Sequence, residues 1–248
     1  MKKNKRNARE RTALIQRGII LLPKKRKSWG TAFFYACLCG GVLFFLCMGA
    51  MVWAKPLYIS DFPASGLDGW EEKKFKASTS YQVFQLENRQ VLLAQSRNTA
   101  SALVKKVRID IEKFPFLNWS WRIENRLDTQ DERTKSGDDY AARIYVVIDG
   151  GIFLWRTRAV NYVWANRAAK GEVWENAFAG KNAQIMALRN RQDPVSTWCV
   201  EKRNVNEDLK RLFGTQVHFI DAIAVMTDTD NAHGHAKTYY GDIYFSEK

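Results

Sequence analysis

From Ser28 to Ala54 the chain carries no charged residue, and from Thr31 to Ala54 (TAFFYACLCGGVLFFLCMGAMVWA) it is apolar nearly throughout. A helix rises 1.5 Å per residue, so about 20 such residues cross the hydrocarbon core of a bilayer. Trp29 and Tyr35 near one end and Trp53 at the other fall where amphipathic rings settle at membrane interfaces, and Lys24 to Lys27 form four consecutive cations just before the run. Residues 1–27 hold eleven Lys and Arg against one Glu, so they carry +10 of the chain's net +13. By the positive-inside rule this basic tail is cytoplasmic, and the part after Lys55 lies across the membrane. A cleaved secretory signal is the competing reading, because Val52-Trp53-Ala54 suits a signal peptidase, but the apolar run exceeds the roughly 7–15 residues of a signal core.

This division settles two further points. With the charge concentrated in the tail, the rest of the chain has no basic excess that would suit nucleic acid, and the tail's role is to fix topology and lie against anionic lipid. Cys37, Cys39 and Cys47 fall inside the apolar run, which leaves Cys199 alone and no disulfide framework outside it. The exported part must be held by its own core, and residues 55–248 are enough for one. Ala32, Ala36 and Gly40 recur every four residues, a small-residue stripe through which two membrane helices could pair into a homodimer.

Beyond Pro56 and Pro63 the dominant signal is period-2 alternation. Tyr81–Leu86, a Glu87-Asn88 turn and Gln90–Ser96 read as a hairpin, and Val107, Ile109 and Ile111 alternate with Arg108, Asp110 and Glu112. Leu117–Ile123, Ala141–Ile148, Val160–Ala165, Ala183–Leu188, Val217–Thr227 and Thr238–Phe245 are further strands. One helix stands out, Asn206–Phe213, preceded by capping Asn residues and stopped by Gly214. Strands without intervening helices predict an all-β domain, an antiparallel two-sheet, jelly-roll-like sandwich with one short helix, preceded by a single transmembrane helix. The expected organisation is a basic tail over 1–27, an anchor over 28–54 and one extracytoplasmic sandwich domain over 55–248.

No nucleophile elbow, phosphate loop, dinucleotide fingerprint or Cys-x-x-Cys pair occurs, so no catalytic residue and no cofactor is assigned. His233 and His235 with Asp228 and Asp230 could meet a divalent metal, and the Asp-x-Asp of Asp228 and Asp230 is where calcium would bind. The stretch departs from a calcium loop at Ala232, and its plainer reading is a solvated turn capped by Asp228, Asp230 and Asn231. Adjacent Asp138 and Asp139 point to opposite sides of a strand and do not make a glycosidase pair, while Asp110 and Glu112 share a face with Arg108 that reads as solvated.

Seven tryptophans fall after residue 55, at 70, 119, 121, 155, 164, 174 and 198. Indole faces stack on sugar rings and neighbouring polar side chains select hydroxyl patterns, although most sandwich tryptophans are core. Arg122, Arg143, Asn161 and Arg203 lie on or beside strands. By alternation Arg122 falls opposite Trp119, Trp121 and Ile123, Arg143 falls with Tyr145 opposite Ile144 and Val146, and Asn161 falls opposite Val160, Tyr162 and Trp164. Arg122, Arg143, Tyr145, Asn161 and Arg203 are therefore the candidate ligand-binding residues, with Asp228 and Asp230 as candidate metal ligands. For Arg122 the competing role is an ion pair with Glu124 on a solvated sheet.

The strings NWSWRIEN, SGDDYAARIYVVID, AVNYVWAN, RNVNEDLKRLFG and MTDTDNAHGHAKTYYGDIYF resemble the recurring blocks of a bacterial exported family, domain of unknown function 3047. The resemblance covers nearly all of the region after the anchor and implies an extracytoplasmic single domain, which with the anchor gives an expected place in a bacterial inner membrane, single pass, with the domain in the periplasm; it carries over no activity and no catalytic residue. The expectation for function is noncatalytic recognition of a glycan or envelope polymer, with an envelope carbohydrate-active hydrolase or a structural protein-binding module as alternatives.

Overall fold

The computed structural model describes residues 55–152 and 156–248. The expected tail and membrane anchor, the Ala32–Gly40 stripe and Trp155 lie outside the described residues, and among the described residues no helix is long and apolar enough to cross a membrane. Residues 54–248 form one compact unit.

Fourteen strands make two sheets. In chain order they are β1 (Leu57–Ser60), β2 (Trp70–Lys76), β3 (Ser80–Leu86), β4 (Arg89–Arg97), β5 (Ala100–Asp110), β6 (Phe116–Ile123), β7 (Arg143–Ile148), β8 (Arg158–Trp164), β9 (Val173–Asn176), β10 (Gly180–Arg189), β11 (Cys199–Asn204), β12 (Phe219–Met226), β13 (His235–Tyr240) and β14 (Ile243–Ser246). Sheet I runs β1-β14-β6-β13-β4-β3 with β11 also paired to β6, and sheet II runs β2-β5-β12-β7-β8-β10-β9.

Local chemistry explains the elements. Glu87 and Asn88 both take positive φ, 49° and 64°, between the paired Leu86 and Arg89, which is the twist a two-residue hairpin requires. The helix Val205–Phe213 starts at Asn204, whose side chain accepts from the Glu207 N–H at 3.1 Å. It stops where Gly214, in the left-handed region, returns its N–H to the Lys210 carbonyl. Between the sheets, Trp119 on β6 stacks on Tyr162 of β8 with ring centroids 5.5 Å apart, and Trp121 meets Trp164 at 6.1 Å. These buried rings join the two layers within one main core that also takes Ile144, Val146, Ile223 and Val225 from sheet II. Each ring buries roughly 150–250 Å², so the aromatic seam is a large share of the cross-sheet attraction.

Three features depart from the expected sandwich. One pair, β8 with β10, is parallel. A parallel neighbour needs a return stroke, and here β9 supplies it: the chain runs back along the sheet edge as β9, and β10 inserts between β9 and β8. There are two short helices among the described residues rather than one, the second being Phe62–Ser65, capped by the Asp61 side chain. The expected strand Thr238–Phe245 is two strands, β13 and β14, which lie end to end along one side of β6. At the break the Gly241 N–H donates to the Ser120 carbonyl at 2.9 Å, and a Cβ on Gly241 would collide with the Ser120 side chain.

Candidate functional site

The alternation that sends Ile144, Val146, Tyr162 and Val225 into the core sends Arg143 and Tyr145 of β7, Asn161 of β8 and Ala224 and Met226 of β12 to the other face of sheet II. Register then aligns them, because Tyr145 pairs with Asn161 on one side and Ala224 on the other, and Arg143 pairs with Met226. All of these but Ala224 line a cleft of about 460 Å³ together with Ala100, Ala183, Asp138, Asn176, Asp228 and Asp230. The lining reaches from Phe75 on β2, one edge of the sheet, to Phe178 in the β9–β10 turn at the other edge. Both rings stand exposed, at 61% and 60%, as apolar walls above a polar floor.

The floor is organised by Arg143, which is 3% exposed. Its Nε donates to Asp228 Oδ1 at 3.0 Å, its Nη2 donates to Asp228 Oδ2 and to the Asp138 carbonyl (3.1 Å), and its Nη1 lies 3.8 Å from Asp138 Oδ1. The guanidinium also sits over the Tyr140 ring, 4.7 Å from its centroid. Burial works against the Arg143 charge, yet Asp228, Tyr145 and Asp138 hold its pKa well above the ordinary value. Burial is also the largest influence on Asp228 and Asp138 and pushes both carboxyls up, with the Arg143 cation pulling the other way.

Two further buried carboxylates hold the loops that deliver these groups. Asp139 accepts from the Asn231 and Ala232 N–H groups at 3.2 and 2.6 Å, which ties the segment before β7 to the β12–β13 loop. Glu132 accepts from the N–H groups of Asn166, Arg167 and Ala168 at 2.7, 3.0 and 2.5 Å, which ties the same segment to the loop after β8. Gly137 allows the close approach, since a Cβ there would collide with the Asp131 backbone.

Asn161 stands apart from this satisfied network. It is 1% exposed, and neither Oδ1 nor Nδ2 has a hydrogen-bond partner among the described residues. One oxygen of Asp138, Oδ1, likewise has no hydrogen-bond partner there, while Oδ2 accepts from Asn176 Nδ2 at 3.0 Å. Buried polar atoms are nearly always paired, and an unpaired one costs roughly 1–3 kcal/mol.

Of the residues singled out from the sequence, Arg143, Tyr145 and Asn161 meet in this cleft, and Asp228 and Asp230 meet them there. Arg122 does not: it lies on sheet I, donating to Glu124 and Glu87 at 2.6 Å each. Arg203 does not either; it pairs with Asp208 at 2.6 and 2.9 Å, and Asp208 in turn accepts from the Tyr162 hydroxyl. Asp228 and Asp230 join Asp139 in a carboxylate trio whose oxygens lie within 4.8 Å of one another. Asp228 already faces a resident cation and Asp139 is committed to backbone donors, so calcium, which takes six to eight oxygens, would draw chiefly on Asp230. The turn that Asp228, Asp230 and Asn231 were expected to cap is capped instead from outside by Asp139. His233 and His235 are both exposed, and His233 pairs with Asn98 at 2.9 Å.

The sequence pattern did not reveal Phe75, Phe178, Asp138 or Asn176. Phe75 lies in a strand reading WEEKKFK, where an aromatic on the same face as Lys73 and Glu71 was the available signal. The tryptophans that drew attention to sugar stacking are elsewhere: Trp119, Trp121 and Trp164 are core, and none of the six described ones lines the cleft.

The family model described as protein of unknown function (DUF3047) matches residues 68–244, a span that takes in every residue named in the cleft. The chain belongs to this family. No curated protein matches it. Among solved structures it is similar to the Family 11 carbohydrate-binding module from Clostridium thermocellum, with TM-score 0.45 and 11% identity over 78% of this chain and 96% of that one. It is also similar to the xyloglucanase domain of NopAA from Sinorhizobium fredii (TM-score 0.40, 9% identity, 72% of this chain, 93% of that one). A third is endoglucanase 3 of Trichoderma harzianum (TM-score 0.36, 8% identity, 72% of this chain, 98% of that one).

Proposed function

We propose that this β-sandwich protein recognises a glycan or other envelope polymer in the cleft on the outer face of sheet II, without chemically altering it. The observation that carries the reading is Asn161, a buried amide with both polar atoms unpaired at the floor of a cleft walled by exposed aromatic rings. A ligand that hydrogen-bonds to that amide and lies against Phe75 and Phe178 meets the usual composition of a recognition site, apolar walls with a few directed polar groups. The cleft crosses the sheet from edge to edge, a shape that suits a chain rather than a compact molecule.

Hydrolysis is the second reading, and it turns on the disposition of the acids. Glycosidases hold two carboxyl groups about 5–10 Å apart on opposite sides of a sugar. Here Asp228 is 1% exposed with both oxygens turned to Arg143, and Asp139 is fully buried against backbone donors, which leaves Asp138 and Asp230 as the lining acids that a hydrolase would have to use. In this reading the domain is held at the periplasmic face of the inner membrane by the apolar segment 28–54, where an extended envelope polymer is within reach.

A glycan array probed with the full chain tests the proposal. Binding to at least one polysaccharide, lost when Asn161 is replaced by Leu, is expected. Product formation from a bound polysaccharide that disappears in Asp138→Asn would instead establish the hydrolase.

A further inference from the structure

Resting on the recognition reading above, we infer that the unit seated on the cleft floor is an uncharged, hydroxyl-bearing sugar and that acidic polymers are excluded. The inference follows from a count of donors and acceptors. Three buried polar atoms on residues that line the cleft have no hydrogen-bond partner among the described residues: Asp138 Oδ1, whose nearest cation is Arg143 Nη1 at 3.8 Å, Asn161 Oδ1 and Asn161 Nδ2. Two of them accept and one donates, and the amide's orientation does not alter that sum, because both of its ends are unpaired. A carboxylate, sulfate or ionised phosphate can only accept, so it could serve the Asn161 amide N–H alone and would set its charge against the Asp138 oxygen. An ammonium can only donate and leaves that N–H unserved. A hydroxyl both donates and accepts, and two neighbouring hydroxyls serve all three atoms.

Charge points the same way at the floor. Arg143 is the one cation lining the cleft among the described residues, and its donors are already turned to Asp228 and Asp138. Asp230 adds a further carboxylate, whose pKa is raised by burial and by Asp139. Lys76 donates to the Asp230 carbonyl at 3.0 Å and its charge opposes the rise in the Asp230 pKa, while Lys73 and Lys135 ride over the Phe75 and Phe178 rings, each 5.5 Å from a ring centroid; none of these three lysines lines the cleft.

The test is affinity electrophoresis of the full chain, in a detergent without a sugar headgroup, through gels holding neutral polymers (β-glucan, xylan, galactomannan, starch) or anionic ones (alginate, polygalacturonate). Retardation by a neutral polymer, weakened at least about tenfold in Asn161→Leu and absent from the anionic gels, is expected. Asn161→Ser, which keeps a donor and an acceptor on a shorter stem, serves as second variant should the leucine disturb folding, and it should weaken binding in the same direction. Retardation by alginate or polygalacturonate as strong as by any neutral polymer, and sensitive to Asn161, would overturn the hydroxyl inference while leaving polymer recognition intact. Neutral binding indifferent to both substitutions would move the ligand away from these atoms and overturn it as well. Retardation by none of the six polymers would remove the recognition reading itself.

Discussion

At the scale of single residues, the cleft holds two opposite kinds of buried polarity, and they should respond oppositely to mutation. Asn161 costs stability because its amide is unpaired, so Asn161→Leu, which fits beside an open cleft, should melt at or above the temperature of the natural protein, by about 2–4 °C for each kcal/mol recovered, while losing ligand. Asp228 is the reverse. Asp228→Ala leaves the buried Arg143 charge with only Asp138, at 3.8 Å, as its counter-charge, and breaking a buried pair from one side costs about 3–5 kcal/mol, a fall of roughly 6–20 °C in a scanning calorimeter. A Tm unchanged in Asp228→Ala would show that Arg143 reaches water when unpaired. Alternation along β7 and β8 was enough to set Arg143, Tyr145 and Asn161 on the face opposite the core, because strand period is a local property. The partner of Arg143 was not legible: Asp228 is 85 residues away, and only the pairing of β12 with β7 and the loops that follow it bring the two together. Arg122 shows the converse, a cation whose partner Glu124 sits two residues on along the same strand face.

At the scale of elements, the loops that carry Asp138 and Asp228 have little secondary structure and depend on buried carboxylates. Glu132→Ala would orphan three backbone N–H groups at once and should cost at least about 3 kcal/mol in urea unfolding; Glu132→Gln, which keeps one acceptor oxygen, should fall between. Equal stability of all three proteins would mean that the loop after β8 is held by other contacts. The strands read correctly from sequence include β4, β6, β8 and β12, which have buried residues, and β3, where half-buried Tyr81 and Val83 alternate with exposed Gln82 and Phe84. The ones missed, β1, β2, β9 and β11, are short or lie at sheet margins. β2 (WEEKKFK) is charged on both faces, so no apolar alternation marks it, and β9 is four residues long. The parallel β8–β10 pair was beyond a reading that expects parallel neighbours to need a helix, since β9 does the returning.

At the scale of the whole molecule, the proposed arrangement is a cytoplasmic basic tail, a membrane segment and a polymer-binding sandwich outside the inner membrane. Protease added to spheroplasts should remove the sandwich; its full protection would contradict that topology. The two-sheet architecture was legible because nine strand-like runs with a single helical one leave few alternatives, whereas the cleft was not, since both edges and three loops of sheet II contribute to it. Hydroxyl-radical footprinting of the full chain with and without a retarding polysaccharide tests the location most directly. The account predicts that ligand shields Phe75, Tyr145 and Phe178 on the outer face of sheet II and leaves Phe84 and Val200, exposed on sheet I, as reactive as before. Protection confined to Phe84 and Val200, with Phe75 and Phe178 unchanged, would place the binding surface on the other sheet and contradict it.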